Sequence, residues 1–201
     1  MVTTRRQIVP AHIANARTYG KGNRKVGITV HETANRSKGA NAAAHGNLQA
    51  RGGMTSASWH WTVDDKEAVQ SYGNEWRCWH AGSGSAGDGD DTIAIEICVN
   101  EDGDLAKAYQ NATELIRFIW DSDPTVGRQL FQHNHWSGKN CPTILRSGTV
   151  ISWAAFVAAA LTGGTPTPAP GPAPAPGPAL LELDGDWGAK TTGRLQQVLG
   201  R

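Results

Sequence analysis

Residues 163–179 read GGTPTPAPGPAPAPGPA and hold seven of the ten prolines in the chain. Such a run favours extended polyproline-II backbone and has no side chains with which to build a core, so it is a semi-rigid spacer. Folding is thereby confined to two pieces. Residues 1–162 are long enough for one domain, whereas residues 180–201 cannot bury enough apolar surface to fold alone.

Within residues 1–162 the pattern alternates between strand and helix. Val26 to His31 alternates with Ile28 and Val30 on one face and His31 at its end. Ser37 is a candidate cap for an alanine-rich helix over 40–50, stopped by Gly52-Gly53. Residues 58–64 and 67–72 read as a hairpin turning at Asp64-Asp65-Lys66, with Trp59 and Trp61 on one face. In 92–99 the residues Ile93, Ile95, Ile97 and Val99 share one face, leaving Glu96 and Cys98 on the other. Asp104 is placed to cap a helix whose apolar positions are Leu105, Ala108, Ala112, Leu115, Ile116 and Ile119. A last helix carries Val150, Trp153, Val157 and Leu161 as its stripe. The expected class is α/β, with a central mixed β-sheet flanked by helices.

Charge excludes some partners. Nineteen Lys and Arg oppose 18 Asp and Glu, a net charge of +1, which supplies no field for nucleic acid or an anionic membrane. The opening residues MVTTRRQIVPAHIANAR lack the continuous apolar stretch of a signal peptide, and no apolar run approaches the ~20 residues of a spanning helix. Three cysteines, Cys78, Cys98 and Cys141, are an odd count for a disulfide framework and fit reduced thiols. A monomer is expected.

Three constellations could carry chemistry. The segment FQHNHWSGKNCP, 131–142, concentrates His133, His135, Lys139 and Cys141; imidazole and thiolate are zinc donors, and His31 is a natural distant third. On residues alone, solvated loop histidines and a buried small cysteine fit equally. Glu96, flanked by isoleucines, is either a desolvated carboxyl suited to proton transfer or half of an ion pair. The tryptophans Trp59, Trp61, Trp76, Trp79 and Trp136 fit either a core or the wall of a groove for flat, amphipathic ligands. His80, just before the glycine-rich 81–91, is either a substrate contact or a structural hydrogen-bonding group, while His12, His45 and His60 carry no motif.

Together ITVHETAN, SWHWTVDD, WHAG, IAIEICVNEDGD and QHNHWSGKNCP, in that order, resemble the type-2 N-acetylmuramoyl-L-alanine amidases. These are zinc amidases of bacteriophage endolysins and bacterial autolysins, similar in fold to animal peptidoglycan-recognition proteins. The resemblance implies one catalytic Zn2+ held by His31, His133 and Cys141, with His135 as the rival to His133. It implies Glu96 and Lys139 as catalytic groups, and His80, Trp59, Trp79 and Trp136 along the substrate groove. Some relatives use a tyrosine just before the strand histidine; Trp59 stands there and cannot act as an acid or base, which favours Glu96. The implied reaction is hydrolysis of the amide between N-acetylmuramic acid and L-alanine in peptidoglycan. Two rivals are a non-catalytic peptidoglycan-binding protein of this fold and a cysteine-dependent peptidase or amidase using Cys141. Residues 183–199 resemble the opening half of a peptidoglycan-binding module, so 180–201 is expected to be an incomplete one. The implied setting is a phage endolysin that stays in the host cytoplasm until a holin releases it.

Overall fold

A computed structural model of the chain describes residues 1–85 and 87–169. The proline-rich spacer from Pro170 onward and the expected module at 180–201 lie outside the described residues. Among the described residues there are eight strands: β1 (Thr3–Arg6), β2 (Thr18–Lys21), β3 (Ile28–Glu32), β4 (Trp61–Val63), β5 (Glu67–Gln70), β6 (Trp76–Cys78), β7 (Ile93–Ile97) and β8 (Leu130–Gln132). The helices of this part are α1 (Ala11–Ala16), α2 (Ala42–Ala50), α3 (Leu105–Ser122), α4 (His133–Ser137), α5 (Thr143–Ser147) and α6 (Trp153–Thr162), with a 3₁₀ turn at Asp88–Asp91.

Six strands form one mixed sheet in the order β1-β5-β4-β7-β3-β8, and β2 pairs with β6 in a small ribbon. The predicted hairpin is the antiparallel β4–β5 pair; β7, β3 and β8 run parallel beside it. Their apolar alternation decides which side is core. Ile28, Val30, Ile93, Ile95 and Ile97 are fully buried against α3, whose face presents Ala108, Ala112, Leu115, Ile116 and Ile119. The same period of two sends His31 and Glu96, paired in register, to the opposite face. Burying the apolar face is what holds the polar one in place.

Several local expectations are corrected. Asn41, not Ser37, caps α2: its side chain accepts from Ala44 N–H, while Asp64 Oδ2 accepts from Ala42 N–H. Ser37 sits in a preceding turn closed by Ala40 N–H to its carbonyl. Asp104 does cap α3, accepting from Lys107 N–H. Trp59 and Trp61 do not share a face, because β4 begins only at Trp61. Gln49 brackets the backbone of Trp59 from both sides, so its indole turns to donate to Thr62, while Trp61 packs edge-on against Phe118 in the core.

The α6 stripe is also displaced. Phe156, Ala159 and Ala160 are buried and Leu161 is 55% exposed, since capping by Ser152 rotates the helix so that its small residues lie against α3. Finally, the start of the spacer is tied to the body. Pro168 bridges Ile151, and Ala169 N–H donates to the Val150 carbonyl.

Candidate active site

The site assembles at the C-terminal ends of three neighbouring parallel strands. His31 is the last but one residue of β3, Glu96 lies beside it on β7, and His133 follows directly on β8. In open sheets built from parallel strands this end is where ligands bind. Cys141 is brought in by a short fold of its own. Gly138 ends α4 in the left-handed region at φ 73°, a conformation glycine adopts without strain. Asn134 N–H then donates to the Cys141 carbonyl, and the Asn134 side-chain amide donates to the carbonyls of Gly138 and Lys139. The eight-residue separation of His133 and Cys141 is thus drawn into a closed loop.

The result is a cluster of three buried donors. One ligand atom from each of His31, His133 and Cys141 lies within 4.8 Å of the others. His31 Nδ1 is 3.0 Å from His133 Nδ1 and 3.9 Å from Cys141 Sγ. Tetrahedral zinc with ordinary Zn–N and Zn–S bonds spaces such donors at about 3.3–3.6 Å, so donor chemistry and spacing both fit the ion. Burial keeps both imidazoles uncharged by lowering their pKa: His31 well below the ordinary range, with His80 and His133 adding to the effect, and His133 more mildly, with Lys139 adding. Neutral imidazole is the form that binds metal. Burial pushes the Cys141 thiol up to about 11, the wrong direction for a free nucleophile.

His135 is not part of this cluster. Its exposed ring packs on Phe131 and Trp136 and lines a separate hollow with Leu130 and Trp153. Two residues along a helix turn a side chain through roughly 200°, which is why His133 and His135 face opposite ways.

Glu96 stands beside the donors with Oε2 buried and unpaired among the described residues. Burial raises its pKa to about 8, opposed by the Lys139 charge and reinforced by Glu32. Two hollows meet here. A groove of about 700 Å³ is lined by Tyr19, Trp79, His80, Asp90 and His133, among others. A second of about 330 Å³ holds His31, Glu96 and Cys141 at its floor, with His45, Met54 and Trp59 on its walls. Lys139, His80 and His133 border both, so the cluster sits where the two join. Trp79 lines the first hollow and Trp59 the second. Trp136 lines neither hollow: its indole N–H donates to Thr29 and its ring rests on Phe131, which gives it a packing role.

Three contributors were missed in the sequence. Glu32 is buried, accepting from the Tyr109 hydroxyl and Leu145 N–H at Oε1 (2.6 and 2.9 Å) and from Ile144 N–H at Oε2 (2.7 Å). It therefore pins the start of α5, two residues past Cys141, to the strand that carries His31. A charge directly after the strand-end histidine was the available signal. Glu32→Ala would strand two backbone amides and a phenol, costing about 2–4 kcal/mol, or roughly 5–15 °C in Tm for a domain of this size. A thermal melt within a degree of wild type would show that the carboxylate does not hold α5. His45 on the second wall and Asp90 behind His80 are the other two; Asp90 was read only as part of a flexible glycine-rich stretch.

Residues 21–144 match the profile of a family described as N-acetylmuramoyl-L-alanine amidase. The chain belongs to that family. Among curated members, this amidase-family chain is 38% identical to CwlH of Bacillus subtilis over 167 residues, 83% of the chain and 64% of the relative. It is 41% identical to XlyA of the same organism over 140 residues, 70% of the chain and 46% of the relative. It therefore spans about half to two-thirds of the length of these curated relatives. The solved catalytic domain of XlyA superposes with a TM-score of 0.69 at 37% identity, covering 78% of this chain and 98% of that domain. The family's fold is the one described above. No helix among the described residues is long and apolar enough to cross a membrane.

Proposed function

We propose that the chain is a zinc-dependent peptidoglycan amidase, hydrolysing the bond between N-acetylmuramic acid and the L-alanine that opens the stem peptide. The observation that carries this reading is the convergence of His31, His133 and Cys141 beside Glu96, at the junction of two hollows. The names of the relatives support the substrate class.

His31, His133 and Cys141 would hold the metal. The chemistry a bound zinc supplies is Lewis acidity, which makes water more acidic and polarises a carbonyl. In its ionised form, which the nearby Lys139 charge favours and a bound cation would favour further, Glu96 takes the proton of the attacking water and returns it to the leaving amine. Lys139, exposed on the rim between the hollows, donates to the oxygen on which negative charge develops, a contribution of about 3 kcal/mol. Trp59 and Trp79 orient the glycan and peptide by offering flat apolar faces. The setting we infer is host lysis by a phage endolysin whose macromolecular partner is peptidoglycan.

Digestion of purified cell walls tests the bond. New N-terminal alanine should appear without new reducing sugar; reducing ends instead would assign a glycosidase and end the proposal. A chelator should stop the reaction and added zinc restore it, whereas a thiol enzyme using Cys141 would ignore the chelator.

A further inference from the structure

The second nitrogen of His31 faces a residue that neither the proposed chemistry nor the metal cluster uses. His31 Nε2 lies 3.1 Å from His80 Nδ1, and both residues are buried, at 1% and 8% exposure. Each neutral imidazole carries one N–H, so the contact has two forms. Either His31 donates from Nε2, leaving its Nδ1 bare, or His80 donates from Nδ1, placing the His31 proton on the Nδ1 that faces His133 and Cys141. Only the first form leaves a lone pair for metal.

The surroundings of His80 select between them. Its Nε2 has no hydrogen-bond partner among the described residues and lies 4.0 Å from Asp90 Oδ1. Asp90 is itself 1% exposed, and its Oδ1 accepts the backbone N–H groups of His80 and Ala81 at 3.0 and 2.8 Å. A carboxylate at that distance favours an N–H at His80 Nε2 and disfavours a lone pair there. With the proton on Nε2, His80 Nδ1 must accept. His60, the nearby ring at 6.3 Å, offers no competing partner: its Nδ1 accepts from Ala94 N–H and its Nε2 donates to the Trp76 carbonyl.

We propose that His80 is a positioning residue. Held by Asp90 with its proton on Nε2, it accepts the Nε2–H of His31 and so keeps His31 Nδ1 bare and aimed at the metal position. This rests on the zinc reading above, and it changes the expectation for His80 from a substrate contact to a residue acting through His31. Metal-bound histidines generally donate their second N–H to such a partner, and losing the partner weakens metal affinity by about 10- to 100-fold.

Two measurements test it. In the first, zinc affinity is read by competition with a chromophoric chelator for the full chain and two variants. His80→Phe keeps a ring but no acceptor and should weaken zinc binding by about 10- to 100-fold. His80→Asn places its Oδ1 close to where Nδ1 was and should recover much of that loss. Unchanged zinc affinity in His80→Phe, with only KM for wall fragments raised, overturns the proposal in favour of a substrate contact; equal loss in both variants also overturns it. The second measurement is made on the wild-type chain without metal, so it stands apart from the zinc reading and needs no variant to fold. Nitrogen-15 shifts of the His31 ring should show a protonated Nε2 and a bare Nδ1. A proton on Nδ1 overturns the assignment.

Discussion

Cys141→Ser is expected to strip zinc from the chain and to reduce turnover by well over the roughly 10²-fold seen when only a ligand's supporting partner is lost. His133→Ala should behave in the same way, while His135→Ala keeps both metal and activity. The expectation follows from where each donor lies. Serine's hydroxyl is a poor zinc donor at neutral pH, because it is not deprotonated as a coordinated thiol is. The cysteine position is buried and its Sγ lies 3.9 Å from His31 Nδ1, so the side chain at 141 is a direct donor and its loss removes one of three protein ligands. His135 by contrast is exposed, on the far side of α4 from the cluster. Metal content of the purified variants and turnover on wall fragments check this together. Zinc retained at full occupancy in His133→Ala but lost in His135→Ala would reverse the assignment of the second histidine.

What the sequence disclosed of this site follows physical range. His31 and Glu96 were legible because both obey the period of two. An apolar alternation that must face a core forces the intervening polar residues to the other side, whatever the rest of the chain does. The choice of His133 over His135 could be suggested only by resemblance, since a loop with two histidines reads the same either way until α4 sets their directions. Trp136 shows the reverse failure: an aromatic beside metal-binding residues looks like a groove wall, yet Thr29 and Phe131 claim it.

The cap of α2 was misplaced by four residues because Ser37 and Asn41 are both good caps in isolation. What separates them is Asp64, distant in sequence, which receives Ala42 N–H. The roles of Glu32 and Asp90 were hidden for a related reason. Most of their partners are backbone amides, which leave no mark in a sequence, and Tyr109, which also donates to Glu32, lies 77 residues away. Long-range hydrogen bonding, rather than propensity, set what could not be read.

Glu96→Gln should lower turnover by about 10²- to 10⁴-fold, the range for a lost general acid–base group, while zinc stays bound and the metal-free protein becomes more stable. The two effects have one cause. Burial has raised the carboxyl to about 8 from an ordinary 4.5, and among the described residues Oε2 has no partner to offset the cost. Between those values the unfolded chain gives up a proton that the native state retains, so native stability falls as pH rises through that window. Below pH 4.5 both states are protonated and the cost vanishes; above pH 8 it is complete. Glutamine does not titrate, and its amide matches the shape of the protonated acid. Its advantage in Tm should therefore be smallest near pH 4, widen toward pH 8 and then level off, at about 2–4 °C for each kcal/mol relieved. Melts of both proteins with chelator present, taken across that range, read the window directly. A Tm difference that stays flat with pH would show that Glu96 titrates normally. Near-wild-type turnover in the glutamine variant would move the proton transfer to another group.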